Sequence, residues 1–212
     1  MTQGIENRIA QGALAKRTAT YATEVRRLLD AGLEVMRTGG TGSRPRVSDI
    51  VARAGLSNDA FYRHFPSKDA LVTAVLEDGA ERLRSYLAHQ MSKAATPEDK
   101  VRRWVEGVLA QAANADIAAS TRAVLWNAGG LADGPASGHP SFNAPLAELL
   151  REPYAALGSA NPDLDAALAA HATIGTLSDR LAQDSRPSPA EIRHVVEFCL
   201  GVVRRPRRAR RS

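Results

Sequence analysis

Apolar side chains along this chain recur at intervals of three and four residues, the spacing of helices that bury one face. No stretch alternates apolar and polar residues as a half-buried strand does. Composition agrees, since alanine occurs 38 times and isoleucine 6 times, so strong helix formers abound and β-branched runs are scarce. Helix starts are written into the chain. Thr96-Pro97-Glu98-Asp99 supplies an N-cap hydroxyl, a proline at the first helical position and acids near the positive end of the dipole. Asn161-Pro162-Asp163 repeats the device, and Ser188-Pro189-Ala190-Glu191 adds the acid of a capping box. Ser57 and Ser67 are expected to cap a short and a long helix. Together these signals predict an all-α fold of about nine helices, near 20–38, 47–54, 58–64, 67–92, 97–114, 116–128, 143–158, 162–183 and 189–203. Between the sixth and seventh, Gly129, Gly130, Gly134, Pro135 and Pro140 make a loop.

The most specific pattern is VSDIVARAGLSNDAFYRHF, Val47 to Phe65. Val47, Ile50 and Val51 mark one face of a short helix that stops at Gly55, where a left-handed backbone is cheap only for glycine. Leu56 follows as the inward residue of the turn, and Ser57 opens a second short helix. Phe61 and Phe65, four apart, point inward, which leaves Asn58, Asp59, Tyr62 and Arg63 outside. Two short helices joined so tightly form a helix-turn-helix, whose second helix can enter a DNA major groove N-terminus first.

Asp49-Ile50-Val51, Ala54-Gly55-Leu56-Ser57 and the run from Phe61 through Tyr62, His64, Phe65, Lys68 and Asp69 to Leu71 resemble the TetR/AcrR family of transcription regulators. The resemblance covers about residues 20–80. It implies a three-helix DNA-binding domain over 20–70 with its motif at 46–65, after a flexible arm at 1–19. A helical ligand-binding and dimerisation bundle would follow over 71–203, then an arginine-rich, solvated tail at 204–212. It further implies that Tyr62, His64 and Lys68 touch backbone phosphates, which position a protein without reading sequence. Ser48, Asn58, Asp59 and Ala60 match positions that face base edges, with Arg46 and Arg63 as additions. Asn58 suits adenine and Arg63 guanine. Asp59 either accepts from cytosine or stabilises the helix N-terminus. The family commonly has Thr where Arg46 stands, so a capping hydroxyl is exchanged for a cation. The preceding loop, Thr38-Gly39-Gly40-Thr41-Gly42-Ser43, lacks the usual glycine–aromatic pair. Its glycines do not make a phosphate loop, because no strand precedes them and no Lys-Ser/Thr closes them.

By the same resemblance the middle of the chain holds a small-molecule pocket. Tyr86, Trp104, Val108, Trp126, Phe142 and Tyr154 are the expected walls, with Arg122 and Asn127 orienting a polar end. The implied effector is largely apolar. The last two helices read as a dimer interface: Leu164, Leu168, Ile174, Leu177 and Leu181 on one, Ile192, Val195, Val196, Cys199, Leu200 and Val203 on the other. The expected protein is a cytoplasmic homodimer on a palindromic double-stranded operator, a repressor released by its effector, with no cofactor and no catalysis.

Charge sharpens this picture as a distribution. Residues 1–70 carry 11 basic and 7 acidic side chains, net +4, whereas residues 71–203 carry 11 and 16, net −5. The last nine residues add six arginines. A purely architectural DNA binder would be basic throughout. A membrane reading fails, since the longest uncharged helical stretch, Ala166 to Ser178, has 13 residues and roughly 18–20 are needed. Glu6, Arg8, Lys16 and Arg17 also leave no signal-peptide apolar core at the start. An enzyme reading rests on Glu191 and His194 at ligand spacing, but a di-iron bundle needs two such pairs. The lone Cys199 allows no intrachain disulfide and has no recognisable base beside it.

Overall fold

The structure is a computed structural model that describes residues 4–129 and 143–204. Every regular element in it is helical: α1 Ile5–Gly39, α2 Val47–Ala54, α3 Asn58–His64, α4 Lys68–Met91, α5 Pro97–Leu109, α6 Ala115–Gly129, α7 Ala144–Ala156, α8 Pro162–Ala182 and α9 Pro189–Arg204. A 3-10 turn at Ala110–Ala112 finishes α5. The all-α expectation and most boundaries agree to within a few residues. Phe142, the breaker-rich loop and the arginines from position 205 onward lie outside the described residues.

One boundary differs by several turns. α1 starts at Ile5, not near residue 20. Residues 10–23 of α1 are all exposed, so hydrophobic periodicity is silent there. Helix formers such as Ala10, Ala13, Ala15 and Lys16 sustain the element instead.

The caps work as their residue types require. The Ser57 and Ser67 side chains accept from the amides of Ala60 and Ala70 at 3.1 and 3.0 Å. Thr96 accepts from Asp99 and Asn161 from Leu164, each at 3.2 Å. At α9 the capping box is reciprocal: the Ser188 amide donates to Glu191 Oε2 at 2.9 Å, and the Glu191 amide donates to Ser188 Oγ at 3.2 Å. The amide bond lowers the pKa of the Glu191 carboxyl, as a bonded carboxylate requires.

Two apolar clusters organise the molecule. The first joins Leu28, Ala31 and Met36 of α1, Ile50, Val51 and Ala54 of α2, Phe61 and Phe65 around α3, and Leu71, Val72 and Val75 of α4. It is completed by Ala123, Val124 and Ala128 of α6. The second is the bundle core of α4, α5 and α7–α9, built around Leu87, Trp104, Tyr154, Leu177 and Leu200. α4 and α6 belong to both and link them, α6 through Ala118 on the bundle side and Ala123, Val124 and Ala128 on the other. α4 and α5 come close at Gly107, where an added Cβ would stand 2.6 Å from Leu87 Cδ2.

A polar tie reinforces the join. Arg26 on α1 grips Asp78 on α4 with two bonds of 2.7 and 3.2 Å, the forked geometry that suits guanidinium to carboxylate. Arg82 approaches the same carboxylate at 2.8 Å. These cations, the bonded Arg26 first, hold the Asp78 carboxyl below its ordinary pKa. Among the described residues no helix is long and apolar enough to cross a membrane.

Candidate nucleic-acid interface

The turn between α2 and α3 is set by Gly55, which takes φ 62° and ψ 40°, the left-handed cap that glycine adopts without steric cost. The Leu56 amide returns to Val51 O at 3.0 Å. From α1, Arg27 donates to Gly55 O at 3.1 Å. Phe61 is wholly buried and Phe65 nearly so, with ring centroids 5.9 Å apart. The helix-turn-helix thus rests on a splint, α1, that meets both its turn and its second helix.

Most of the residues expected at DNA stand on the open side of this unit. Arg46, Ser48, Asn58, Asp59, Tyr62 and Arg63 are exposed, and Lys68 is half-buried at the first turn of α4. Tyr62 presents 57% of its surface. Arg46 occupies the N-cap position of α2 without a side-chain cap bond, and Ser48 Oγ donates to Asp49 at 3.2 Å. Three helices, α2, α3 and α4, therefore offer cations, hydroxyls and an amide in the mixture that duplex DNA recognises.

Two expected contacts lie elsewhere. Ala60 is 5% exposed, and the His64 side chain is fully buried, with Nε2 2.7 Å from Glu24 Oε2 on α1. Ala60 and His64 are four apart and share one face of α3. That face adjoins the Phe61–Phe65 stripe and widens it, so these two residues pack inward and not toward a groove.

Beyond this unit, a cavity of about 670 Å³ opens between α4, α5, α6 and α8. Of the residues expected to line a pocket, Tyr86 and Val108 do so. Its other walls are mainly aliphatic, among them Leu33 of α1, Val75 of α4, Val124 of α6 and Ile174 and Leu177 of α8. Asp78, Arg82, Gln111 and Thr121 supply polar points.

The remaining expected pocket residues have other roles. Trp104 is core, its Nε1 donating to Leu146 O at 3.0 Å. Tyr154 is core too, its hydroxyl donating to Cys199 O at 2.9 Å. Asn127 turns its amide back to Ala123 O at 2.9 Å. Arg122 pairs with Asp184, and Trp126 faces outward. Large aromatics fill the space where helices touch, and smaller side chains border the space where they do not.

The expected interface on α8 and α9 also divides. Ile174, Leu177, Leu181, Val196, Cys199 and Leu200 are buried within the chain's own core, which corrects their assignment to a surface. Ile192, Val195 and Val203 are half-buried against that core. Leu164 and Leu168 are about half exposed, and Phe198, which the apolar stripe did not single out, is 57% exposed. Burial pushes the Cys199 thiol above its ordinary pKa, so it is not a ready thiolate. Glu191, bonded in its capping box, also pairs with Arg180 at 2.6 Å. Among the described residues no group of three or more His, Cys, Asp or Glu is placed to hold a metal ion.

Fold and site define a helix-turn-helix protein with a second, cavity-bearing helical unit. Residues 28–75 match the family model for bacterial regulatory proteins of the tetR family. No curated protein matches the chain. Among solved structures, a TetR transcriptional regulator from Rhodococcus sp. RHA1 is similar at a TM-score of 0.62 and 19% identity, covering 86% of this chain and 96% of that one. The fatty acid degradation regulator FadR from Bacillus halodurans gives 0.58 and 22%, over 85% and 96%. FadR from Bacillus subtilis, in complex with stearoyl-CoA, gives 0.54 and 17%, over 84% and 98%. Residues 28–75 thus carry the helix-turn-helix described by the tetR family model, and the chain shares the all-helical fold of these solved structures.

Proposed function

We propose that this chain is a dimeric, sequence-specific repressor that a small, largely apolar effector releases from a palindromic operator. The observation that supports this most is where the cavity lies. Val124 and Leu33 border it, while Val124, Ala123 and Ala128 of α6 pack into the cluster that carries the helix-turn-helix. A ligand that repositions α6 or α4 acts directly on the seat of the DNA-binding unit. It can shift the equilibrium only by its differential affinity for the two conformers. Moving a population from 1:99 to 99:1 takes about 5.5 kcal/mol.

In this reading residues 20–70 form the DNA-binding domain and 71–203 the effector and dimerisation domain. Tyr62 and Lys68 hold phosphates, while Arg46, Ser48, Asn58, Asp59 and Arg63 face the groove. The cavity falls within the roughly 300–1,000 Å³ usual for a bound small molecule, and its aliphatic walls suit an acyl chain, the kind of group that the Bacillus subtilis FadR structure holds as stearoyl-CoA. Dimerisation is assigned to the outer faces of α8 and α9, where Leu164, Leu168 and Phe198 remain uncovered. A two-fold operator calls for a two-fold protein. The reading puts the protein in the cytoplasm with its DNA.

Selection of bound fragments from genomic DNA, followed by a metabolite screen for release, tests the proposal. The expected outcome is an inverted repeat with half-sites about 34–36 Å apart and an apolar releasing compound. A single unrepeated site bound by a monomer would refute it.

A further inference from the structure

His64 is the last residue of α3. Its imidazole is fully buried although Tyr62 and Arg63 beside it face solvent. Nε2 lies 2.7 Å from Glu24 Oε2 on α1, and the Tyr21 ring meets the imidazole edge-on, with centroids 4.2 Å apart and planes at 71°. Nδ1 is buried with no hydrogen-bond partner. Nε2 is taken by the carboxylate, and Nδ1, shut away from solvent, is out of reach of a phosphate oxygen.

We propose, resting on the DNA-binding reading above, that His64 is a positioning residue which acts through Glu24 and makes no phosphate contact. α3 is only seven residues long, too short to hold its own orientation. Its start is fixed by the Ser57 cap and by the turn that Arg27 grips. Its far end is fixed by Glu24, which meets His64 at 2.7 Å and stands 3.5 Å from Arg63 Nη1. Both braces come from one face of α1, where Glu24 and Arg27 are neighbours at helical spacing. The brace sets the angle at which Asn58 and Arg63 meet the groove, so it governs discrimination between DNA sequences and leaves the count of neutralised phosphates unchanged.

Salt dependence separates the two roles, because the slope of log affinity against log salt counts phosphates. The probes are the duplex recovered by genomic selection with the wild-type protein and a scrambled duplex of equal length. Lys68→Ala serves as the phosphate reference and is expected to flatten the slope by about 1 on both. His64→Leu is expected to weaken binding to the selected duplex roughly tenfold, as loss of a hydrogen bond to a charged group does, with its slope unchanged and the scrambled duplex unaffected. Glu24→Ala should reproduce that loss, and the double variant should add little to it, since partners in one contact are not additive.

A His64→Leu slope reduced by about 1 on both duplexes, an unchanged affinity for the selected duplex, or additive losses in the double variant would each overturn the proposal. Should His64→Leu fail to fold, Glu24→Ala decides alone. Loss of affinity at constant slope supports the brace, and no loss contradicts it. A wild-type protein that selects no duplex overturns the DNA-binding reading itself, which is a distinct result.

Discussion

The two apolar clusters are both built of aliphatic side chains around a pair of aromatics, yet they relate to the candidate sites in opposite ways. Around the helix-turn-helix the aromatics Phe61 and Phe65 are core and the candidate functional face is what remains outside. In the bundle the aromatics Trp104 and Tyr154 are core as well, but the functional candidate is an internal space walled mainly by smaller side chains. A surface site is the complement of a short helix's buried stripe and can be read from register. An internal site is a gap between helices, and its walls depend on how those helices are arranged.

Breaking the first cluster carries the largest expected effect. Phe61→Ala, at a wholly buried ring, should cost about 3–5 kcal/mol in chemical denaturation and abolish DNA binding. In the second cluster Trp104→Phe keeps most of the bulk but leaves Leu146 O without its donor, an expected loss of about 1–3 kcal/mol. If instead it changed effector affinity at constant stability, the assignment of Trp104 to core and not to the cavity would fail.

The join between the clusters should be acid-sensitive. Arg26 depresses the Asp78 pKa in the folded protein. Its stabilisation is therefore full above the unfolded value of about 3.9 and is lost as the pH falls through the lower folded value. Melting followed from pH 6 downward should show wild type losing stability below about pH 4 more steeply than Asp78→Asn does. Equal acid sensitivity of the two proteins would remove Asp78 as a titrating tie. The smallest effect is expected at Trp126, an exposed aromatic where replacement by Ala should change stability by no more than about 0.5 kcal/mol. A large loss there would show that it is packed.

Much of the fold was legible because its signals are local. Ser57, Thr96, Asn161 and Ser188 announce helix starts, and Gly55 announces a turn, through chemistry confined to three or four residues. The start of α1 was hidden because residues 10–23 bury nothing and so carry no apolar period. At the DNA face the spacing of Phe61 and Phe65 indicated which side is inward. It did not show that Ala60 and His64 extend that side, which depends on α1 lying alongside with Tyr21 and Glu24. In the bundle, periodicity marked Ile174, Leu177 and Leu181 as buried without saying against what. They meet their own chain, and two of them border the cavity. Leu33 borders the cavity from α1, and Val124 borders it from α6, the helix on which Arg122, Trp126 and Asn127 were expected instead.

In the proposed reading, occupancy of the cavity alters the helix-turn-helix through the helices they share, and that coupling is reciprocal. The most direct measurement is the affinity of the releasing compound from the metabolite screen for the protein, free and saturated with its selected operator. The expected result is weaker binding in the operator complex, by the same factor by which the compound weakens the operator. An affinity unchanged by the operator would contradict the account.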